Sequence, residues 1–540
     1  MNNIFNSKIT TMTLQDNDLL SVQEARSLAH AAKEAQKEYK LFTQEQVDRI
    51  VKAMADAGYA QAERLAKAAA EESGFGKWQD KVIKNQFGTR NVYESIKDLK
   101  TVGVIESLHG GKLLKIAEPM GVVAALVPST NPTSTAMFKI LISLKSRNSI
   151  VISPHPKTAK CTFDAAMVLA DAAEKAGASK GLIQCMKNPT LEGTNELMKN
   201  KNIAVILATG SNPMVRAAYS SGKPAYGVGA GNVPAFIEKS ANYKKAVADI
   251  LYGTTFDNGT LCSSEQAIIC DRSIREQVIK ECKEQGGYFV NAEEKKKLSG
   301  YILKERGLNA DIVGKPAPWI AQHAGFNVPE NTRVLIAECS DVGKHEPLSV
   351  EKLSPILAFY TVDGWLEGCH KCIDLLQFGG IGHTMVIHSN DSDIIMKFAL
   401  EKPAFRILVN TVSSVGAVGY TTALTPSMTL GPGTWGGSII SENVSAKHLL
   451  NYKHLAFEVN PVNQGQTLTS IGSGGAVSSS APKSFIDEIE DRLRARAGNK
   501  PVQQDYKTSE KKEIKPEVQK EYGQGITEDE IQKIIKGFKV

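Results

Sequence analysis

VVAALVP (122–128), a helical segment from Ser134 to Leu144, NSIVIS (148–153), a helical segment from Cys161 to Ala176 and AVILATG (204–210) follow one another, and this alternation decides the fold. Strand-like runs interleaved with helices predict a parallel α/β sheet. The pattern restarts after Cys262 with AIIC (267–270), a helix from Ser273 to Gln285, RVLIAE (333–338), ILAFYTV (356–362), a helix from Trp365 to Leu376 and RILVNT (406–411). Two doubly wound α/β lobes with a cleft between them are expected.

Outward from this body, Ser21 to about Asp98 is helical, with apolar residues at three- and four-residue steps through Val47, Ile50, Val51 and Met54. Short alternating pieces around Gly110-Gly111, between Gly103 and Ile116, predict a β-hairpin arm used in assembly. After about Asn460 the composition turns to Gln, Gly, Ser and Thr, a linker signature, followed by expected helices at Ser484–Ala497 and Thr527–Phe538.

Composition bounds the function. At 540 residues, 42% hydrophobic and 23% charged, the chain is an ordinary globular protein of several lobes. A surplus of only 64 Lys+Arg over 58 Asp+Glu, without a basic block, argues against nucleic acid. No apolar run of membrane-spanning length occurs, the polar stretch 1–20 with Asp16 and Asp18 is not expected to act as a secretory signal, and the 8 Cys show no framework spacing. A cytoplasmic protein with free thiols, no membrane contact and no metal is expected. Cys369-His370-Lys371-Cys372 is half a zinc pattern without a second half.

Within FDNGTLCSSEQ (256–266), Cys262 sits on a Gly-containing turn before a strand, where a thiol is accessible and near free backbone N–H groups. A small buried hydrophobe is the plainer reading. Asn131 in VPSTNPT (127–133) lies where a strand gives way to a helix; its amide suits a developing oxyanion, or equally an Asn-Pro turn. Thr209, Gly210 and Ser211 open a helix whose free N–H groups could hold a pyrophosphate, or form a plain cap. GVGAGN (227–232), with Gly229, misses G-x-G-x-x-G and licenses only close backbone packing near a ligand. His383 in GGIGHT (379–384) is an acid/base candidate or a satisfied structural histidine.

Taken in order, IAEPMGVV (116–123), VPSTNPTSTAMFK (127–139), SPHP (153–156), ATGSNPMVRAAYSSGKPAYGVGAGN (208–232), FDNGTLCSSEQ (256–266), EKLSP (351–355), GGIGHT (379–384) and TWGGSIISENV (434–444), with FTQEQVDRI (42–50) and QDKVIKN (79–85) before them, resemble the CoA-acylating aldehyde dehydrogenases. The resemblance is nearest to the aldehyde dehydrogenase half of the bifunctional aldehyde/alcohol enzymes and spans roughly 42–457. It implies the aldehyde dehydrogenase fold, with 21–102 and 121–255 binding cofactor, 103–120 and 445–460 as an oligomerisation arm, and 256–444 as the catalytic part. Residues 1–20 would be a flexible N-terminus, 461–525 a linker with a short helix, and 526–540 an amphipathic helix.

By the same resemblance, Cys262 is the nucleophile and Asn131 the oxyanion amide. Thr209, Gly210, Ser211, Gly229 and Pro154 contact NAD, and Glu351 the nicotinamide ribose. NADP stays open, because SPHP replaces the K-P-x-E segment that grips the adenosine ribose in hydrolytic relatives. Those relatives carry a general-base Glu 34 residues before the Cys, where this chain has Val228. Val cannot deprotonate water, so the acyl thioester should wait for the CoA thiol. The implied reaction is a short-chain aldehyde, CoA and NAD+ to acyl-CoA and NADH. An anionic aldehyde such as sulfoacetaldehyde or succinate semialdehyde, met by Arg406 or Lys139, is the alternative, and a hydrolytic enzyme ranks lower. The resemblance further implies a homodimer or higher oligomer. The stripe Ile531, Ile534, Ile535 and Phe538 resembles the peptides that dock such enzymes to bacterial microcompartment shells.

Overall fold

The computed structural model describes residues 16–304 and 307–460. The two helices expected beyond Asn460 lie outside them. Four helices form the entry layer: Asn17–Tyr39, Gln44–Ala60, Ala62–Ser73 and Trp78–Gln86. Local chemistry sets their ends. Asp16 accepts from the N–H groups of Asp18 and Leu19, Thr43 and Gln46 form a reciprocal capping box, and Gly74 closes the third helix in the left-handed conformation.

The first sheet has five parallel strands in the order Ile183–Cys185, Ser149–Pro154, Val122–Val127, Ile203–Thr209, Ala225–Val228. Strand Val122–Val127 is buried at every residue, which explains its unbroken apolar run. The chain runs outward from it in both directions, so a topological switch point opens between the carboxyl ends of Val122–Val127 and Ile203–Thr209. Asn131 follows one of these strands and Gly210 the other.

The second sheet has seven parallel strands in the order Gly287–Phe289, Val334–Glu338, Ile356–Val362, Glu265–Asp271, Val233–Ile237, Met385–His388, Ile407–Val409. Val233–Ile237 pairs with Glu265–Asp271. Sheet membership therefore changes between Val228 and Val233, not at the expected border of 255 and 256. The sequence hid this strand because Pro234 lies inside it; a register shift between Val233 and Pro234 absorbs the missing donor.

Strands Gly103–Leu108 and Leu113–Pro119 form the expected hairpin, and Leu450–Ala456 joins it antiparallel in a three-stranded arm. All eight cysteines are free. Among the described residues no helix is long and apolar enough to cross a membrane, and no group of three or more His, Cys, Asp or Glu is placed to hold a metal. Cys369 contacts Lys402 Nζ, and Cys372 is buried in an apolar cluster.

Candidate active site

The nucleophile candidate is set by an unusual turn. Asp257 and Asn258 both take positive φ, 49° and 52°, and Gly259 follows at 74°. Such backbone persists only where its surroundings over-determine it. Here Asp257 Oδ1 accepts from the Lys77 N–H at 2.6 Å, its own N–H donates to Asp80 at 2.7 Å, and Asn258 Nδ2 donates to the Gly314 carbonyl at 2.9 Å. Gly76 makes room: a Cβ there would lie 1.9 Å from Asp257 Oδ1.

Cys262, three residues beyond Gly259, is partly exposed, unlike the fully buried Ser263 and Ser264 after it. Burial and then the Glu351 charge push its thiol up to about 12, while Arg406, the residue's own backbone N–H and Lys84 pull the other way.

Asn131 precedes the helix Pro132–Lys145 but makes no side-chain cap bond. Its Oδ1 accepts from Lys84 Nζ at 2.6 Å, and its Nδ2 donates to Thr130 Oγ1 at 3.1 Å and to the Thr260 carbonyl at 3.3 Å. The amide donor thus faces the segment two residues before Cys262. Lys84 and Lys81 both pair with Asp257 Oδ2, Lys81 at 2.8 Å. Burial pushes Lys84 down to about 8, with Asp257 opposing; burial raises the Asp257 carboxyl, and the two lysines more than reverse that. This buried group of Lys81, Lys84 and Asp257 was not singled out in the sequence, and the lysine spacing in QDKVIKN is the only signal that could have suggested it.

Glu351 Oε1 accepts from the Gly231 N–H at 2.8 Å, and burial pushes its carboxyl up to about 7. Gly231 is enclosed: a Cβ there would lie 2.3 Å from the Cys262 carbonyl oxygen and 2.9 Å from the His383 ring. Cys262, Gly231, Glu351 and His383 are therefore brought together. His383 is buried, with Nδ1 2.9 Å from Thr384 Oγ1 and no partner at Nε2. Burial and then Arg406 push its pKa down to about 3, so the ring is neutral at pH 7.

At the switch point, Ser211 precedes the helix Asn212–Tyr219 without a side-chain cap bond, and Ser211, Asn212 and Pro213 are exposed. Thr209 Oγ1 lies 3.2 Å from Thr429 Oγ1, and the Gly210 N–H donates to the Val228 carbonyl at 3.2 Å. Gly229 is required by proximity, since a Cβ would lie 2.1 Å from Asn212 Oδ1. Uncapped first-turn N–H groups beside glycine backbone fit a pyrophosphate. Pro154 ends its strand, and the neighbouring His155 is exposed, its Nδ1 accepting from the Lys157 N–H at 3.1 Å. Val228 is buried at 1% exposure.

The two cations expected to meet an anionic aldehyde are otherwise engaged. Lys139 is fully buried and donates to the Leu126 and Leu207 carbonyls at 2.7 and 2.9 Å, bridging the two strands of the switch point. Arg406 is buried and donates to the Gly431 carbonyl at 2.7 Å and to Thr384 Oγ1 at 3.2 Å. Both serve the scaffold, because a long cationic side chain in a dry interior must spend its donors on carbonyls.

Residues 5–289 match the aldehyde dehydrogenase family. The chain is 47% identical over 441 residues to the bifunctional aldehyde-alcohol dehydrogenase of Escherichia coli K12, covering 81% of this chain and 50% of that protein. It thus spans about half the length of the first curated relatives it matches. The crystal structure of an acetylating aldehyde dehydrogenase from Geobacillus thermoglucosidasius superposes with a TM-score of 0.82 at 51% identity, covering 84% of this chain and all of that one. A propionaldehyde dehydrogenase from Rhodopseudomonas palustris, solved with bound CoA and an acylated cysteine, superposes at 0.74 with 28% identity, over 80% of this chain and 97% of that one. With the fold, the switch point and the Cys262 turn, these matches establish that the chain belongs to the aldehyde dehydrogenase family.

Proposed function

We propose that this chain is a CoA-acylating aldehyde dehydrogenase, taking a short-chain aldehyde, CoA and NAD+ to acyl-CoA and NADH. The observation that supports this reading is Val228: a buried aliphatic residue stands 34 residues before Cys262, where the resemblance puts a water-activating carboxylate, while the partly exposed Cys262 follows Thr260, whose carbonyl accepts from the Asn131 amide.

Cys262 Sγ attacks the aldehyde carbon, and the Asn131 Nδ2 donor supports the charge that develops on the oxygen. Thr209, Gly210, Ser211 and Gly229 would hold the pyrophosphate of the dinucleotide, Pro154 would border its adenosine, and Glu351 would meet the ribose. Nicotinamide, when bound, supplies the hydride acceptor. What remains on the protein is an acyl-Cys262 thioester. With Val228 in place of a base, water is not activated, and the CoA thiol exchanges with Cys262 to release acyl-CoA. The exposed His155 offers no acidic ribose clamp, which supports use of NADP as well as NAD.

The open edge of strand Leu450–Ala456 supports a homo-oligomer joined through the arm. The spacing of Ile531, Ile534, Ile535 and Phe538 in the sequence supports docking to a microcompartment shell protein. Purified protein with short aldehydes and NAD+ or NADP+, with and without CoA, tests the reaction: reduced cofactor and acyl-CoA should accumulate together. Free acid formed equally fast without CoA would make the enzyme hydrolytic.

A further inference from the structure

We infer that Lys84 is a positioning residue that fixes and polarises the Asn131 amide so that its N–H2 end faces the nucleophile's segment. The inference deepens the acylating reading and rests on it for the reaction in which the amide serves.

An ammonium has three donors and accepts nothing. Those of Lys84 are all taken: Asn131 Oδ1 at 2.6 Å, Thr260 Oγ1 at 3.0 Å and Asp257 Oδ2. With Oδ1 held there, the other end of the amide must turn toward the Thr260 carbonyl, 3.3 Å away. A flipped amide would set N–H2 against the ammonium and lose both contacts, so Lys84 selects one of two orientations that electron count alone leaves equivalent. A donor bound to the carbonyl end also polarises the amide and strengthens its N–H groups.

Charge count points the same way. Lys81 and Lys84, 2% and 4% exposed, share one carboxylate, Asp257. Asp80 sits at the rim, 4.0 Å from Lys77, so the cluster of Lys77, Lys81 and Lys84 against Asp80 and Asp257 keeps one excess positive charge. Two like charges in a dry site are costly for stability. The excess makes sense where negative charge appears during reaction.

The surrounding packing holds this geometry. Asn85 Oδ1 accepts from Thr133 Oγ1 at 2.7 Å, and Asn85 Nδ2 donates to the Ala62 carbonyl at 2.9 Å. A Cβ on Gly88 would lie 2.9 Å from the Ser134 carbonyl, so glycine there lets this segment approach the start of helix Pro132–Lys145 closely enough for Lys84 to reach Asn131.

A double-mutant cycle on the full chain tests it: wild type, Lys84→Met, Asn131→Ala and the double variant, assayed with aldehyde, NAD+ and CoA. Lys84→Met should lower kcat by about 10- to 100-fold, within the cost of a lost oxyanion donor, with KM for aldehyde nearly unchanged. The double variant should be no slower than Asn131→Ala alone, since Lys84 acts through that amide. Lys84→Arg should recover part of kcat. Multiplicative losses, an unchanged kcat, or an effect confined to KM for NAD+ would overturn the inference. Lys84→Gln, which keeps an N–H donor for Asn131 Oδ1 but no charge, supplies a second arm should Lys84→Met fail to fold: kcat should fall less than in Asn131→Ala and not combine multiplicatively with it, and a wild-type kcat or multiplicative losses would overturn the inference. Wild-type product separates the two levels, because free acid in place of acyl-CoA refutes the acylating reading while the cycle still judges Lys84.

Discussion

Glu351 Oε1 accepts from the Gly231 N–H at 2.8 Å, tying the loop before strand Ile356–Val362 to the glycine-rich segment that lies against Cys262. Gly231 has no space to give: Cβ would meet the Cys262 carbonyl and the His383 ring. Gly231→Ala must therefore move the Cys262 backbone or the histidine. A displacement on that scale costs about 10² in turnover. Steady-state kinetics should show this loss together with a lower thermal midpoint, because the clash is with backbone and a buried ring.

The same carboxylate bears on the thiol. Burial sets Cys262 high and Glu351 adds to it, so removing the negative charge should lower the thiol pKa. Glu351→Gln is expected to speed alkylation of Cys262 by iodoacetamide at pH 8, where the wild-type carboxyl, at about 7, is charged. Unchanged or slower alkylation would separate the two groups electrically.

Much of this site was legible before the fold was known, and the reason is local. Continuous apolar runs such as VVAALVP and ILAFYTV declare buried parallel strands, and the turns after them place Asn131 and Gly210 at a sheet edge. The Gly-containing turn made Cys262 a candidate, and only the resemblance of the ordered motifs gave it the nucleophile's role. What escaped was pairing across sequence: Lys84 meets Asp257 at a separation of 173 residues, and no spacing rule connects them. Asn131 was open to reading as an Asn-Pro turn or as an oxyanion donor, and its contacts with Lys84 and the Thr260 carbonyl show its amide directed away from the helix N-terminus. Lys139 and Arg406 misled in the opposite direction, since charge suggested a ligand and burial assigned them to backbone carbonyls.

Glu265 offers a stability prediction with a definite sign. It is fully buried, Oε1 accepts from the Ser413 N–H at 2.6 Å, and Oε2 has no partner. Burial pushes its carboxyl up from 4.5 to about 8. Between those values the folded state holds a proton that the unfolded state has lost, so this residue's contribution to stability falls as pH rises from 4.5 to 8. Glu265→Gln should thus gain in Tm relative to wild type as pH rises across that window, and level off above it. A Tm difference independent of pH would assign the carboxyl an ordinary pKa.

Val228→Glu should install a carboxylate 34 residues before Cys262, the position that the resemblance gives to the general base of hydrolytic relatives. Product analysis by mass should show the free acid rising at the expense of acyl-CoA. Absence of any gain in acid would mean that something other than the missing base excludes water.

The most direct measurement is the mass of the intact enzyme after reaction with acetaldehyde and NAD+ in the absence of CoA. An acetyl adduct on Cys262 is expected, stable in buffer, lost at once when CoA is added with appearance of acetyl-CoA, and absent from Cys262→Ala. An unmodified protein that has nonetheless turned over many equivalents of aldehyde to acetate would contradict the thioester's dependence on CoA.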